Sequence, residues 1–215
     1  MPSPSGDNYS ESLTRTLANP VIVQLTLALQ TRVSTDAPVR ADSRLAAVLA
    51  LVRMVGEGGR NAELLFIKRA DLSGDPWSGH IAFPGGRFDD TDKSLAETAL
   101  RETHEELALD VQRHGALIGR LDDLAPLAQA LPPIIIRPFI GVVPPDIQFA
   151  PNDEVADAFW VPVSLLQSQA ARGEYVITRA EATSRFPAYN VGPHVIWGLT
   201  ERIVTQLLPL IAGVK

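Results

Sequence analysis

Arg101-Glu102-Thr103-His104-Glu105-Glu106 places three carboxylates at i, i+3 and i+4. On a helix those positions share one face. Like charges at that spacing cost a helix about 0.2–0.5 kcal/mol per pair, so the cluster asks for a compensating cation. Hard divalent ions such as Mg²⁺ and Mn²⁺ favour carboxylate oxygens and serve phosphate chemistry. The bland alternative is a solvated acidic face. Upstream, Ser94 followed by Glu97 forms a capping box, so Leu95 opens a helix that runs to about Leu109. Ala96, Leu100, Thr103 and Leu107 lie beside the acidic arc. One side of the helix therefore packs on a core while the acidic edge faces a cleft.

Working outward, residues 80–83 read as a short strand ended by Pro84-Gly85-Gly86, and 87–93 as an acidic loop. Residues 45–55 and 63–68 read as strands joined by a turn at 56–60, a hairpin signature, with the Ala-rich first run open to helix as well as strand. Further strands are expected at 116–121, 134–143 and 155–161, with a helix starting at 163 and a C-terminal helix over 195–211 carrying Trp197 on its apolar stripe. Residues 173–188 give no clear pattern. Residues 1–10 read as a polar tail, and 12–32 as helix broken before Pro20. This order of elements fits a mixed α/β layered domain over 45–212, preceded by a tail and helical extension over 1–44.

The bulk properties narrow the function. The 215 residues suit one domain with a sizeable core. A net charge of −6 argues against a broad nucleic-acid-binding surface. With no cysteine, disulfides, thiolate metal sites and a cysteine nucleophile are excluded. The N-terminus lacks the basic and apolar regions of a signal peptide, and the apolar run 21–29 is too short to span a bilayer. The expectation is a cytoplasmic protein with no membrane or nucleic-acid partner.

The segment Gly86-Arg-Phe-Asp-Asp-Thr-Asp-Lys-Ser-Leu-Ala-Glu-Thr-Ala-Leu-Arg-Glu-Thr-His-Glu-Glu-Leu-Ala-Leu109 resembles the Nudix box, Gly-x5-Glu-x7-Arg-Glu-U-x-Glu-Glu-x-Gly-U, with U a bulky aliphatic residue. It departs from the box in four ways. Asp92 stands for the first Glu, one extra residue separates Gly86 from Arg101, Thr103 fills an aliphatic slot, and Ala108 replaces the closing Gly. The extra residue, Phe83-Pro84-Gly85-Gly86, Thr98-Ala99-Leu100-Arg101-Glu102, the stretches 138–146 and 152–155 and the C-terminal Val-Ile-Trp-Gly-Leu-Thr200 are all similar to the coenzyme A pyrophosphatase branch of that family. The branch's upstream signature is matched by Leu64-Leu65, Arg69 and Gly79, but Asp75 holds the place of its second Arg. An Asp is a poor replacement for a phosphate-binding Arg, which bears on coenzyme A specificity and not on pyrophosphate hydrolysis.

The resemblance implies a Nudix-like α/β/α sandwich with a mixed sheet. It also implies metal-dependent hydrolysis of a pyrophosphate bond in coenzyme A or a related nucleotide derivative. The alternatives are another nucleoside diphosphate-linked or triphosphate substrate, and a non-catalytic nucleotide-sensing module. Glu102, Glu105 and Glu106 are the expected ligands of Mg²⁺ or Mn²⁺, with the Gly86 main-chain carbonyl completing the shell. Glu105 is the expected general base, with Glu154 as the alternative. Arg101 is expected to hold the carboxylates by reaching Glu105 or Glu97 at i±4. Arg69 and Arg87 are the first candidates for phosphate contacts and Arg137 the third. Asp89, Asp90 and Asp92 read as loop acids, Asp92 being a minor candidate for a second metal. His80 and His104 are not expected to be ligands, Trp160 and Trp197 read as core, and Trp77 is as suited to stacking on a base as to packing on its own protein. The N-terminal helix is available to cap the domain or to pair subunits as a homodimer.

Overall fold

The computed structural model describes residues 6–74, 77–126, 133–179 and 182–212. Asp75 lies outside the described residues, as do residues 1–5 of the expected tail.

In chain order the elements are α1 (Gly6–Leu17), α2 (Pro20–Thr31), β1 (Arg44–Val55), β2 (Asn61–Arg69), β3 (Ile81–Ala82), β4 (Gly85–Arg87), α3 (Leu95–Leu107), α4 (Val111–His114), β5 (Ala116–Arg120), β6 (Ile134–Val142), β7 (Val155–Pro162), α5 (Val163–Gln167), β8 (Arg172–Arg179), β9 (Ala182–Val191), β10 (His194–Trp197) and α6 (Gly198–Ala212). The break between the first two helices is chemical. Asn19 caps α2 by accepting the Val21 N–H at 2.9 Å, and Pro20 fills a first-turn position that needs no donor. The segment expected as a tail is helical from Gly6 onward.

β1 is the spine of a seven-stranded mixed sheet. Along one edge it pairs antiparallel with β4 and then β2, and along the other it runs parallel to β6. β3 and β7 pair with β2, and β5 pairs with β6. Because strand side chains alternate, β1 feeds both faces. Leu49 and Leu51 pack with Ala99 and Leu107 of α3, whereas Ala50 and Val52 pack with Ile22 and Leu25 of α2 and Ile203, Val204 and Leu207 of α6. Helices on both faces of one mixed sheet make an α/β/α sandwich. The N-terminal extension caps it, since Ile22, Leu25 and Leu29 are part of the main core.

Three expectations need correction. Residues 173–179 and 182–188 fall within β8 and β9, which form a three-stranded antiparallel sheet with β10. The C-terminal helix starts at Gly198, not 195, because β10 occupies His194–Trp197 and Gly198 takes φ +69° at the junction. Trp197 therefore sits in an aromatic cluster rather than on a helical stripe, stacked on Tyr175 with ring centroids 4.1 Å apart. Finally, Gly85-Gly86 does not simply end a strand but forms β4 itself. Among the described residues no helix is long and apolar enough to cross a membrane.

Candidate active site

Helix α3 carries the site, and its ends are fixed locally. Ser94 Oγ accepts the Glu97 N–H at 3.3 Å, and Glu97 returns by accepting the Lys93 N–H at 2.8 Å. The reciprocal bond thus falls one residue ahead of the cap. At the far end Ala108 adopts φ +51°, ψ +27°, the left-handed conformation that a closing Gly would take without strain. The loop after β6 is tied to this end, Ala150 and Asn152 donating to the carbonyls of Leu107 and Glu106 at 2.8 and 2.9 Å.

Both glycines of β4 are required by what they face. A side chain on Gly85 would run into the Ala47 carbonyl and the Val48 backbone, and Gly85 holds φ +145°. A Cβ on Gly86 would collide with the Glu102 carboxylate. The strand therefore comes close to α3, and only hydrogen separates the Gly86 Cα from that carboxylate. The Gly85 N–H donates to Glu106 Oε2 at 2.9 Å.

The three glutamates differ in environment. Glu106 is 3% exposed, and burial pushes its carboxyl up to about 8, against the opposing pull of the Gly85 N–H and the Arg69 charge. Burial also raises Glu102, with Arg101 opposing. Glu105 is more open and meets Arg101 Nη1 at 3.0 Å. The exposed Glu154 adds its negative charge to the field at both Glu102 and Glu106. It sits beside Arg69 across a strand pair, with its carbonyl accepting the Ala70 N–H at 2.8 Å.

Arg101 does not reach back to Glu97. Its Nε and Nη2 grip Asp92 Oδ1 and Oδ2 at 2.9 and 3.0 Å, while Nη1 meets Glu102 and Glu105, each at 3.0 Å. Nη2 also donates to the Arg87 carbonyl at 3.2 Å. Asp92 is buried and further accepts from Thr98 Oγ1 and the Asp89 N–H at 2.8 and 3.1 Å. The Arg101 guanidinium, ahead of the other donors, holds the Asp92 carboxyl far below the usual carboxylate range. Asp92 is therefore the anchor of Arg101 rather than a loop acid. The link spans nine residues and crosses from loop to helix, so no i±4 rule could reveal it.

Arg69 lies close enough to Glu106 to stabilise its charge, and Arg87 is exposed beside Gly86. Arg137 is committed elsewhere. It pairs bidentately with the Asp123 carboxylate, whose side chain is 3% exposed, at 2.8 Å for both contacts, and with Asp36 of the N-terminal extension at 3.1 Å. His80 packs against Trp197. Trp160 lies under the Arg53 guanidinium, 4.2 Å from its ring centroid.

No three His, Asp or Glu side chains among the described residues already form a metal cage; Arg101 and the Gly85 N–H engage the carboxylates instead. The donor set nevertheless suits a hard divalent cation. Two carboxylates are driven toward neutrality by burial beside a strand from which side chains are barred, an arrangement that a bound cation would relieve.

Residues 44–181 match the NUDIX domain family model. The Nudix hydrolase NudL of Photorhabdus laumondii subsp. laumondii is 37% identical over 131 residues, covering 60% of this chain and 67% of that protein. The mitochondrial coenzyme A diphosphatase NUDT8 of Homo sapiens is 33% identical over 184 residues, 84% of this chain and 76% of that one. A MutT/nudix family protein from Enterococcus faecalis superposes with TM-score 0.54 over 99% of this chain and 76% of its own, at 13% identity, which bears on the fold alone. The chain belongs to the Nudix family and is a pyrophosphohydrolase of that type, a family that generally uses divalent metal ions.

Proposed function

We propose that the chain hydrolyses the diphosphate bridge of coenzyme A or a coenzyme A derivative, using Mg²⁺ or Mn²⁺. The observation that carries this reading is the buried Glu106 carboxylate beside Glu102 and the side-chain-free Gly86, set in a chain 33% identical to a coenzyme A diphosphatase. Glu102, Glu105, Glu106 and the Gly86 carbonyl would hold the cation. When bound, such a cation neutralises anhydride charge and acidifies water at the site.

The chain's own groups do the rest. Water adds to one phosphorus, the bridging P–O bond breaks, and the other phosphate leaves with the bridging oxygen. Glu105, open to solvent, takes the proton of the attacking water; Glu154 is the alternative base. Arg69 and Arg87 bind phosphate oxygens. Arg101, locked by Asp92, keeps Glu102 and Glu105 in place and does not touch substrate. Arg137, held by Asp123, is left out of this scheme. The cytoplasm is the compartment we assign.

Asp75, in place of the second signature Arg, favours a second reading in which another nucleoside diphosphate-linked or triphosphate compound is the substrate. A panel of such compounds incubated with Mg²⁺, with products identified by mass, tests both. Coenzyme A yielding 3′,5′-ADP and 4′-phosphopantetheine supports the first reading. Cleavage of other anhydrides with coenzyme A untouched supports the second. No cleavage of any anhydride leaves only a nucleotide-sensing module.

A further inference from the structure

The small sheet of β8, β9 and β10 has two unlike faces. Its register sets Ala188 opposite both Gly173 and Trp197, and Tyr175 opposite Phe186. Alternation then puts Tyr189, Val191 and Ile196 on one face, all buried in the main core, and Tyr175, Phe186 and Trp197 on the other. On that second face the Tyr175 and Trp197 rings stack across β9 with centroids 4.1 Å apart, and Phe186 tilts against the indole at 5.7 Å. Gly173 and Ala188 leave room for this contact. All three rings stay half-buried, with Ile177 and Val195 half-buried on the same face. Aromatic surface left partly in water on one face is surface that a flat ligand can cover.

One cross-strand pair joins this face to the glutamate site. β2 and β3 pair Ile67 with Ala82, and the ladder continues where the Arg69 N–H donates to the His80 carbonyl at 3.0 Å. Ile67 and Ala82 pack with Ala99 and Leu107 of α3, so alternation turns Arg69 and His80 to the side of the sheet that carries the glutamates. The Arg69 charge acts on Glu106 from there. The His80 ring in turn lies 4.9 Å from the Trp197 ring, where β10 packs against β3. Directly opposed strand residues sit about 4.5–5.5 Å apart at Cβ, so two short steps lead from Arg69 through His80 to the indole. A nucleoside monophosphate spans such a path, its phosphate at Arg69 and its base at the rings.

We propose that the aromatic face formed by Tyr175, Phe186 and Trp197 receives the adenine ring of the substrate while Arg69 holds the adjoining phosphate. The inference rests on the diphosphate-cleaving reading and adds the place of the base. The test is calorimetric binding to the full chain in EDTA, comparing the two halves of coenzyme A. Tyr175→Leu and Phe186→Leu should each weaken 3′,5′-ADP about tenfold or more, the usual cost of a lost base–aromatic stack, and leave 4′-phosphopantetheine unchanged. Tyr175→Phe keeps the ring and should bind 3′,5′-ADP at the unmodified affinity. A second readout leaves the face intact. The chain has three tryptophans, so replacing Trp77 and Trp160 by Phe leaves Trp197 as the one indole, and 3′,5′-ADP should quench its fluorescence where 4′-phosphopantetheine does not. The proposal is overturned by absent binding of 3′,5′-ADP to the unmodified chain, by an affinity that survives both leucine variants, by an equal loss for both halves, or by Trp197 emission indifferent to 3′,5′-ADP. Turnover of coenzyme A with Mg²⁺ is scored separately. Cleavage with 3′,5′-ADP binding untouched by the leucine variants removes the base site and keeps the hydrolase. Ring-dependent binding without cleavage of any anhydride keeps the base site and removes the hydrolase reading.

Discussion

Arg101 and Asp92 form a two-point ion pair, Nε to Oδ1 at 2.9 Å and Nη2 to Oδ2 at 3.0 Å, that joins the acidic loop to the glutamate helix. The remaining guanidinium nitrogen is thereby aimed at Glu102 and Glu105. Loss of such orienting contacts typically costs 10–100-fold in activity or metal affinity. Asp92→Asn should lower kcat by about that factor, and the broken charge-assisted bonds should destabilise the fold by about 1–3 kcal/mol. Because the folded carboxyl titrates below its unfolded value, the pair's contribution is complete above about pH 4 and is lost as pH falls further. Urea unfolding of both proteins at pH 7 and pH 3 checks this: the gap between them should shrink at the lower pH.

Glu106 predicts the opposite pH behaviour. Its carboxyl is pushed from 4.5 up to about 8 in the folded protein. Between those values the unfolded chain releases a proton that the folded chain keeps, so the metal-free protein loses stability as pH rises through that window. Glu106→Gln cannot ionise and escapes the loss. In EDTA its Tm should match or exceed that of the unmodified protein at pH 9, with the difference narrowing at pH 5. A Tm difference independent of pH would contradict the assignment.

Ala108 predicts a stabilising change. A left-handed residue with a side chain costs about 1–2 kcal/mol, and part of this is offset by the greater freedom of an unfolded glycine. Ala108→Gly should therefore gain about 0.5–1 kcal/mol, seen as a Tm higher by a few degrees.

The two glycines of β4 should fail differently. Gly86→Ala pushes on the end of a side chain, the Glu102 carboxylate, so the fold should survive while activity falls at least about tenfold. Gly85→Ala pushes on the backbone of β1 at positive φ, and should lose both stability and activity. Thermal melts and turnover measured on the same preparations separate the two.

Much of this was legible in the sequence because the signals are local. Ser94 and Glu97 announced α3, the apolar runs announced β1, β2 and β6, and the spacing from Gly86 to Glu106 pointed to the candidate site. What stayed hidden depends on long-range partners. Residues 172–178 alternate only half-buried with exposed positions, so β8 gains its identity from pairing with β9. β10 runs straight into α6, and its apolar residues read as the first helical turn; Gly198 was the available signal for the boundary. The roles of Asp92 and Asp123 follow from which arginine folds over them, which spacing along the chain does not encode.

The role proposed for Glu106 and its neighbours, metal-dependent cleavage of a nucleotide diphosphate bridge, is decided by following coenzyme A by mass with the unmodified chain and with Glu106→Gln, each in Mg²⁺ and in EDTA. 3′,5′-ADP and 4′-phosphopantetheine are expected only from the unmodified chain in Mg²⁺, with the variant folded and inactive. Turnover by Glu106→Gln at the unmodified rate, or equal turnover in EDTA, would contradict it.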